Sequence, residues 1–175
     1  MKKALFVLMA FVVFFGTACE KLDELLTFYI NEDETIKIES NFPIGAVVPL
    51  TPVAVTTNSQ ETFKNNNTRA ELVKDVTLNK LTLTISDPQG QNFNFLKNIE
   101  IYISNSENGD TRLAYLDEIP QNVSSLTLKS TNAQLDKYIK SDSYTIKTKA
   151  TLAKPISQDI SIRADMRFKV TADPI

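Results

Sequence analysis

DISIRADMRFKVT, residues 159–171, alternates without a break: Ile160, Ile162, Ala164, Met166, Phe168 and Val170 share one parity, and Arg163, Asp165, Arg167 and Lys169 fill the places between. In an extended chain successive side chains point to opposite faces, so this period of two puts the apolar set on a core and the charged set in water. That is the pattern of a half-buried antiparallel strand. A helix would scatter the same residues around its whole circumference.

Working outward, Ser143 to Leu152 alternates in the same way, through Tyr144, Ile146, Thr148, Ala150 and Leu152. Its nearness in the chain predicts that it pairs with 159–171 as an antiparallel hairpin, burying Ile162, Met166 and Phe168. Before it, Leu135, Tyr138 and Ile139 have the i, i+3, i+4 spacing of a short helical turn. Further upstream, Val76 and Leu78 lie on one parity and Leu81, Leu83 and Ile85 on the other, which predicts a bulge near Asn79 and Lys80. Asp87 to Gly90 has turn composition. Ile99, Ile101 and Ile103 mark a strand, Arg112 to Asp117 another, and Leu126 with Leu128 a short one.

The first third of the chain reads less regularly. Leu25 to Ile30 and Thr35 to Glu39, joined by the polar Asn31 to Glu34, predict a hairpin. Asn41 to Thr57 carries Pro43, Pro49 and Pro52, and a residue without an N–H suits an edge strand or crossover. Asn58 to Thr68 reads as a solvated loop with Phe63 folded inward. Seven or more short strands with frequent turn signals and no long helix predict an all-β fold: a single antiparallel β-sandwich over residues 25–175. Few glycines are present to serve the turns, so asparagine, which tolerates left-handed backbone, should serve many of them.

Ahead of that domain stands MKKALFVLMAFVVFFGTACEKLDE, residues 1–24. Lys2 and Lys3 precede an apolar run from Ala4 to Phe15, too short to cross about 30 Å of hydrocarbon, followed by small residues. This predicts a helical signal peptide over residues 1–18, cut between Ala18 and Cys19; Gly16 and Ala18 satisfy the small-x-small rule for ordinary signal removal, which would release a soluble protein. A cysteine directly after Gly16, Thr17 and Ala18 resembles the bacterial lipobox, with Gly16 where the pattern usually has Leu, Val or Ile. The resemblance implies that Cys19 is the lipid attachment site and that residues 19–24 form a tether. Several acyl chains on one residue anchor stably where a single myristoyl chain is marginal. The acidic residues after Cys19 are similar to surface-export signals of Bacteroidota lipoproteins. A general likeness to flavobacterial lipoproteins extends this and implies no particular activity.

The order short strand, helical turn, DSYTIKTKA resembles the passage from strand E to strand F in fibronectin type III and other immunoglobulin-like domains. There a tyrosine near the start of strand F bonds back to upstream backbone, and Tyr144 takes the matching place. The chain departs from antibody-type domains in having no tryptophan and one cysteine.

Composition excludes several chemistries. The chain has no histidine, so the commonest general base and metal ligand is missing. Its one cysteine would be consumed by lipidation or cleavage, and no G-x-S-x-G, P-loop or dinucleotide fingerprint occurs. Loss of Lys2 and Lys3 takes the 19 basic residues to 17 against 21 acidic ones, a mildly acidic balance that argues against nucleic acid. Glu32, Asp33 and Glu34, and Asp117 with Glu118, read as solvated turn acids rather than a glycosidase pair. Asn105, Glu107, Asn108 and Asp110 cluster hard oxygens that would suit calcium, but Asn-Gly-Asp is equally good turn chemistry, so no metal and no cofactor are expected. The Asn-x-Ser/Thr triplets at Asn66 and Asn122 read as loop sequence.

The expectation is a non-catalytic binding or structural module held at a bacterial outer membrane, periplasmic or surface-facing, whose partner is an envelope protein or a glycan. The alternative is a carrier of a hydrophobic ligand. The tether should hold the anchor-proximal hairpin near the bilayer and leave the free loops at the other end. Asn105, Glu107 and Asp110 are the best candidates for a presented loop site.

Overall fold

A computed structural model describes residues 26–173 of the chain. The signal peptide, Ala18, Cys19 and the tether lie outside the described residues. Within them, two antiparallel sheets pack face to face, as the alternation predicts. One sheet has the strand order β1 (Thr27–Ile38), β10 (Ile160–Ala172), β4 (Val73–Asp87), β7 (Ser125–Thr127). The other is built around β9 (Ser143–Leu152), paired with β5 (Leu96–Ser104) on one side. On its other side β9 pairs with β2 (Val47–Pro49) and β3 (Val53–Thr56) in turn. β6 (Thr111–Leu116) and the two-residue β8 (Lys129–Ser130) complete this sheet. The core is one cluster that draws on the inward parity of every long strand, with Ile162, Phe168 and Val170 fully enclosed.

The parity change in β4 is a bulge: Lys80 opposes Arg167 and Leu78 opposes Phe168, so Asn79 is the extra residue. Asn67, Asn122 and Asn132 all take positive φ, the role that scarce glycine leaves to asparagine. The proline-rich segment 41–57 supplies the edge of the second sheet, as expected of residues that cannot donate to a ladder.

Three expectations fail. β9 and β10 do not form a hairpin; residues 153–159 cross from one sheet to the other. Both edges of β9 are already taken, by β5 and by β2 with β3, while β10 supplies the ladder for both β1 and β4. The assignment of faces nevertheless holds, since Ile162, Met166 and Phe168 are buried. The expected first hairpin is one twelve-residue strand, β1, running through Asn31 to Glu34. Its outward polar residues are accommodated by β10, where Arg163 reaches Asp33 at 3.7 Å and Arg167 lies over the Tyr29 ring at 3.7 Å. Finally, residues 58–68 contain a short helix, α1 (Ser59–Asn65), because Phe63 drives into the core and meets Phe28 edge-on at 6.2 Å.

The predicted helical turn is α2 (Asp136–Ile139), with Leu135, Tyr138 and Ile139 all buried. In the run β4 to β9, β4 and β7 share one sheet and β5 and β9 the other, as strands B, E, C and F do in immunoglobulin-like domains. But β10, in the place of strand G, lies between β1 and β4 in the first sheet instead of beside β9. The tyrosine contact differs. The Tyr144 hydroxyl has no hydrogen-bond partner among the described residues, whereas Tyr138 Oη donates to Gly109 O at 2.8 Å and meets Thr111 Oγ1 at 2.7 Å. The residue that ties the crossover to upstream backbone is thus six positions earlier, on α2 itself.

Phe168 is fully buried and meets Tyr144 of the opposite sheet edge-on at 6.5 Å. Phe168→Ala should therefore cost about 3–5 kcal/mol in denaturant unfolding, through lost transfer energy and the cavity left behind. Lys169→Ala, one residue on and facing water, should stay within about 0.5 kcal/mol.

Candidate functional site: two ends and an inner edge

Strand register defines two ends of the sandwich. At the first, β1 begins opposite the close of β10, with Thr27 against Thr171, and Val170 lies against Val76 near the start of β4. α2 belongs to this end, since Leu135 N donates to Val76 O at 2.8 Å. The Ser104 to Asp110 loop belongs here too. Asn105 Nδ2 donates to Lys137 O at 3.1 Å and to Ser141 Oγ at 2.8 Å. The loop expected to stand away from the anchor therefore shares the end at which the chain enters the domain. The reason is topological: β5 runs antiparallel to β9, so the close of β5 lies where β9 starts.

Within that loop Asn105 Oδ1 accepts from Glu107 N at 3.2 Å, Asn108 N at 2.7 Å and Asn108 Nδ2 at 2.9 Å. The carbonyl oxygen that would face a calcium ion instead organises an Asx turn. Asp110 points elsewhere, to Lys147 Nζ at 2.6 Å on the outer face of the sheet. Asn105 and Glu107 do come together, on one wall of a polar concavity of about 670 Å³ whose other wall is Lys137, Lys140 and Ser141. Of the three residues singled out from the sequence, two share a surface and Asp110 does not.

The opposite end is where Ile38 meets Ile160 and Leu96 meets Leu152. Its loops are rich in side-chain amides. Asn94 Nδ2 donates to Asn122 Oδ1 at 2.9 Å, and Asn122 N donates to Asn94 Oδ1 at 2.7 Å, which locks the 91–95 segment to the turn at 120–123. Beside this clasp lies a cleft of about 240 Å³ between Gln91, Asn92 and Asn94 on one side and Pro155, Ser157 and Gln158 on the other. The sequence carried little sign of it. Each amide reads as ordinary turn composition until register brings the two segments together.

A third feature lies on the inner edge. Glu32 and Glu34 have the same parity as Ile30, Ile36 and Ile38, so they point to the core side of β1 at the rim of its sheet. Burial raises the pKa of both, and each is raised further by neighbouring carboxylates: Glu32 by Glu34 and then Asp33, Glu34 by Asp33. Tyr144, on the facing sheet, is pushed up by burial and then by these same two carboxylates, so its hydroxyl stays neutral. On the outer face of the second sheet, Glu100 behaves oppositely. The Tyr102 hydroxyl donates to it at 2.8 Å and, with Arg112 at 3.0 Å, holds its carboxyl below the ordinary value despite some burial.

No protein-family model and no curated protein matches the chain. Among solved structures, it is similar to a Desmodium yellow mottle tymovirus chain at 9% identity and TM-score 0.27, over 85% of this chain and 90% of that one. It is also similar to a turnip yellow mosaic virus chain at 12% identity and TM-score 0.31, over 85% of this chain and 96% of that one. A superposition this loose carries no argument about relationship or role.

The raised carboxylates predict a pH dependence. A Glu whose folded pKa lies above its unfolded value binds more protons when folded, so stability falls as pH rises from about 4.5 through the folded pKa. Glu32→Gln should raise the melting temperature at pH 7 slightly, and Glu34→Gln by less, because solvent screens the more exposed Glu34 and a backbone hydrogen bond at Thr35 favours its charged form. These gains should fade as pH is lowered toward 4.5. Glu100→Gln should do the reverse at neutral pH and lower the melting temperature, because the native carboxylate is stabilised by its partners.

Proposed function

We propose that this protein is a lipid-anchored, non-catalytic binding module of a bacterial outer membrane. It offers the amide-rich end of its sandwich to a glycan of the envelope. The observation that carries the reading is the strand register. Thr27 opens β1 at the end opposite the Gln91–Asn94 and Ser157–Gln158 loops. Cys19 precedes Thr27 by eight residues, at most about 29 Å of extended chain. An acylated Cys19 would thus hold the α1 and α2 end near the bilayer. β10, with 13 residues at about 3.3 Å each, sets the other end some 40 Å further along.

The cleft at that far end is dominated by amide and hydroxyl side chains, with Lys154 beside them, a lining that suits a glycan. An amide side chain offers both a donor and an acceptor, which matches the paired capacity of sugar hydroxyls. The carrier alternative has less support. The space between the sheets is taken up by Phe63, Phe93, Tyr138, Tyr144 and Phe168, all buried.

Cys19→Ser should lose acyl labelling and leave the membrane fraction; a variant that still partitions with membranes as the native chain does overturns the anchor. For the binding end, detergent-solubilised full-length protein should be retained on immobilised envelope polysaccharide and release no sugar from it. Gln91→Ala and Gln158→Ala should weaken that retention severalfold with little change in melting temperature, and Glu107→Ala should leave it unaltered. Retention that depends on Glu107 and Lys137 instead would move the site to the anchored end. Hydrolysis abolished by changing one carboxylate would make the protein an enzyme.

A further inference from the structure

On the outer face of the first sheet, like charges stand directly opposite one another in two places. Asp33 on β1 faces Asp165 on β10, and Lys80 on β4 faces Arg167 on β10. Like charges in register across an antiparallel pair destabilise it. The acidic pair is answered within the protein: Arg163 Nε donates to Asp165 at 2.8 Å, and its guanidinium lies 3.7 Å from Asp33. The basic pair has no such answer, since neither Lys80 nor Arg167 forms an ion pair among the described residues. On the outer face of the second sheet, by contrast, Arg112 meets Glu100 at 3.0 Å and Lys147 meets Asp110 at 2.6 Å.

The two unanswered cations share a groove. A concavity of about 390 Å³ crosses β1, β10 and β4, and Asn31, Lys80, Thr82 and Arg167 line it. Asn31 is the register partner of Arg167 on β1, so the donors converge from three adjacent strands. The side chains of Asn31, Lys80 and Thr82 make no hydrogen bond among the described residues. Arg167 Cζ lies 3.7 Å from the centre of the Tyr29 ring, so the ring covers one face of the guanidinium and leaves the N–H groups on its edge free to donate. Of the carboxylates beside the groove, Asp33 and Asp165 are held by Arg163, and Glu32 has the inward parity of β1.

We propose that this groove binds a phosphate monoester carried on a sugar, with Lys80 and Arg167 on the phosphate. Charge selects the group. A phosphate monoester carries about −1.5 to −2 at pH 7, which matches two cations, whereas a carboxylate or a sulfate ester brings a single charge. An arginine fork takes two phosphate oxygens together and a lysine meets the third as a point charge. Size selects the carrier. A phosphate group fills only a small part of the groove, and clefts of about 300–1,000 Å³ hold whole small molecules. The amide of Asn31 and the hydroxyl of Thr82 supply the paired donors and acceptors that sugar hydroxyls need. The inference does not rest on the glycan reading of the amide-rich end, because the groove lies mid-strand on the outer face of a sheet.

The test titrates full-length protein in detergent with glucose-6-phosphate at low ionic strength, followed by calorimetry. Glucose-6-phosphate should bind about tenfold or more tightly than glucose, and severalfold more tightly than glucose-6-sulfate or inorganic phosphate. Lys80→Gln and Arg167→Gln should each weaken binding about tenfold. Arg167→Lys, which keeps the charge and loses the fork, should weaken it severalfold. Lys37→Gln, exposed on the same face of β1 but outside the groove, should leave it intact. Without ligand, Lys80→Gln should not lower the melting temperature, because it removes one member of a like-charged pair. Absence of glucose-6-phosphate binding overturns the proposal. Inorganic phosphate binding as tightly as the sugar phosphate also overturns it, since the groove would then take a free anion. Equal weakening by Lys37→Gln would assign the effect to general positive charge, and weakening by Gln158→Ala would move the sugar phosphate to the amide-rich end; either result overturns the groove.

Discussion

Strand β10 has to satisfy a neighbour on each side and an opposing sheet at the same time. Twelve of its residues are registered against β1 and twelve against β4, while its apolar parity fills the space between the sheets. A one-residue slip would turn Ile162, Met166, Phe168 and Val170 into water and bring Arg163 and Arg167 into the core. Burial of that one face therefore fixes register across the whole first sheet. The chain has no disulfide available to fix it otherwise. The bulge at Asn79 is the local adjustment that lets β4 keep its own apolar residues inward along the same template.

That dependence explains which parts of the molecule are legible in residue spacing. Parity is local, so the inward faces of β4, β5, β9 and β10, the bulge at Asn79 and the helical turn at Tyr138 follow from residue spacing alone. Pairing is not local. The alternation of 143–152 and 159–171 is equally clean whether the two strands lie side by side or in facing sheets, and only competition for the edges of β9 decides. Composition conceals β1 for a related reason. Asn31 to Glu34 has turn composition, and it stays extended because β10 offers it twelve ladder positions and two outward arginines.

The sites follow the same division. Asn105, Glu107 and Asp110 were visible as an oxygen-rich loop, yet their spacing does not reveal that Asn105 is consumed by its own turn or that Asp110 faces Lys147. The amide cleft joins segments more than sixty residues apart, so only the fold assembles it. The carboxylate pair was legible in one respect: Glu32 and Glu34 share parity with Ile30, Ile36 and Ile38. What residue spacing cannot supply is that the two carboxylates, which read as part of a turn, sit on an extended edge strand.

β1 also presents twelve residues of backbone along an edge that no other described strand covers. Copies at high local concentration meet edge to edge more often than in dilute solution, and an exposed strand edge is a template for sheet growth between them. A second copy zipped along β1 would continue the sheet past Glu32 and Glu34 and close their access to water, so each added molecule would have to bury another pair of like charges. The same two carboxylates that interrupt the core of one molecule thereby oppose edge-to-edge growth between copies.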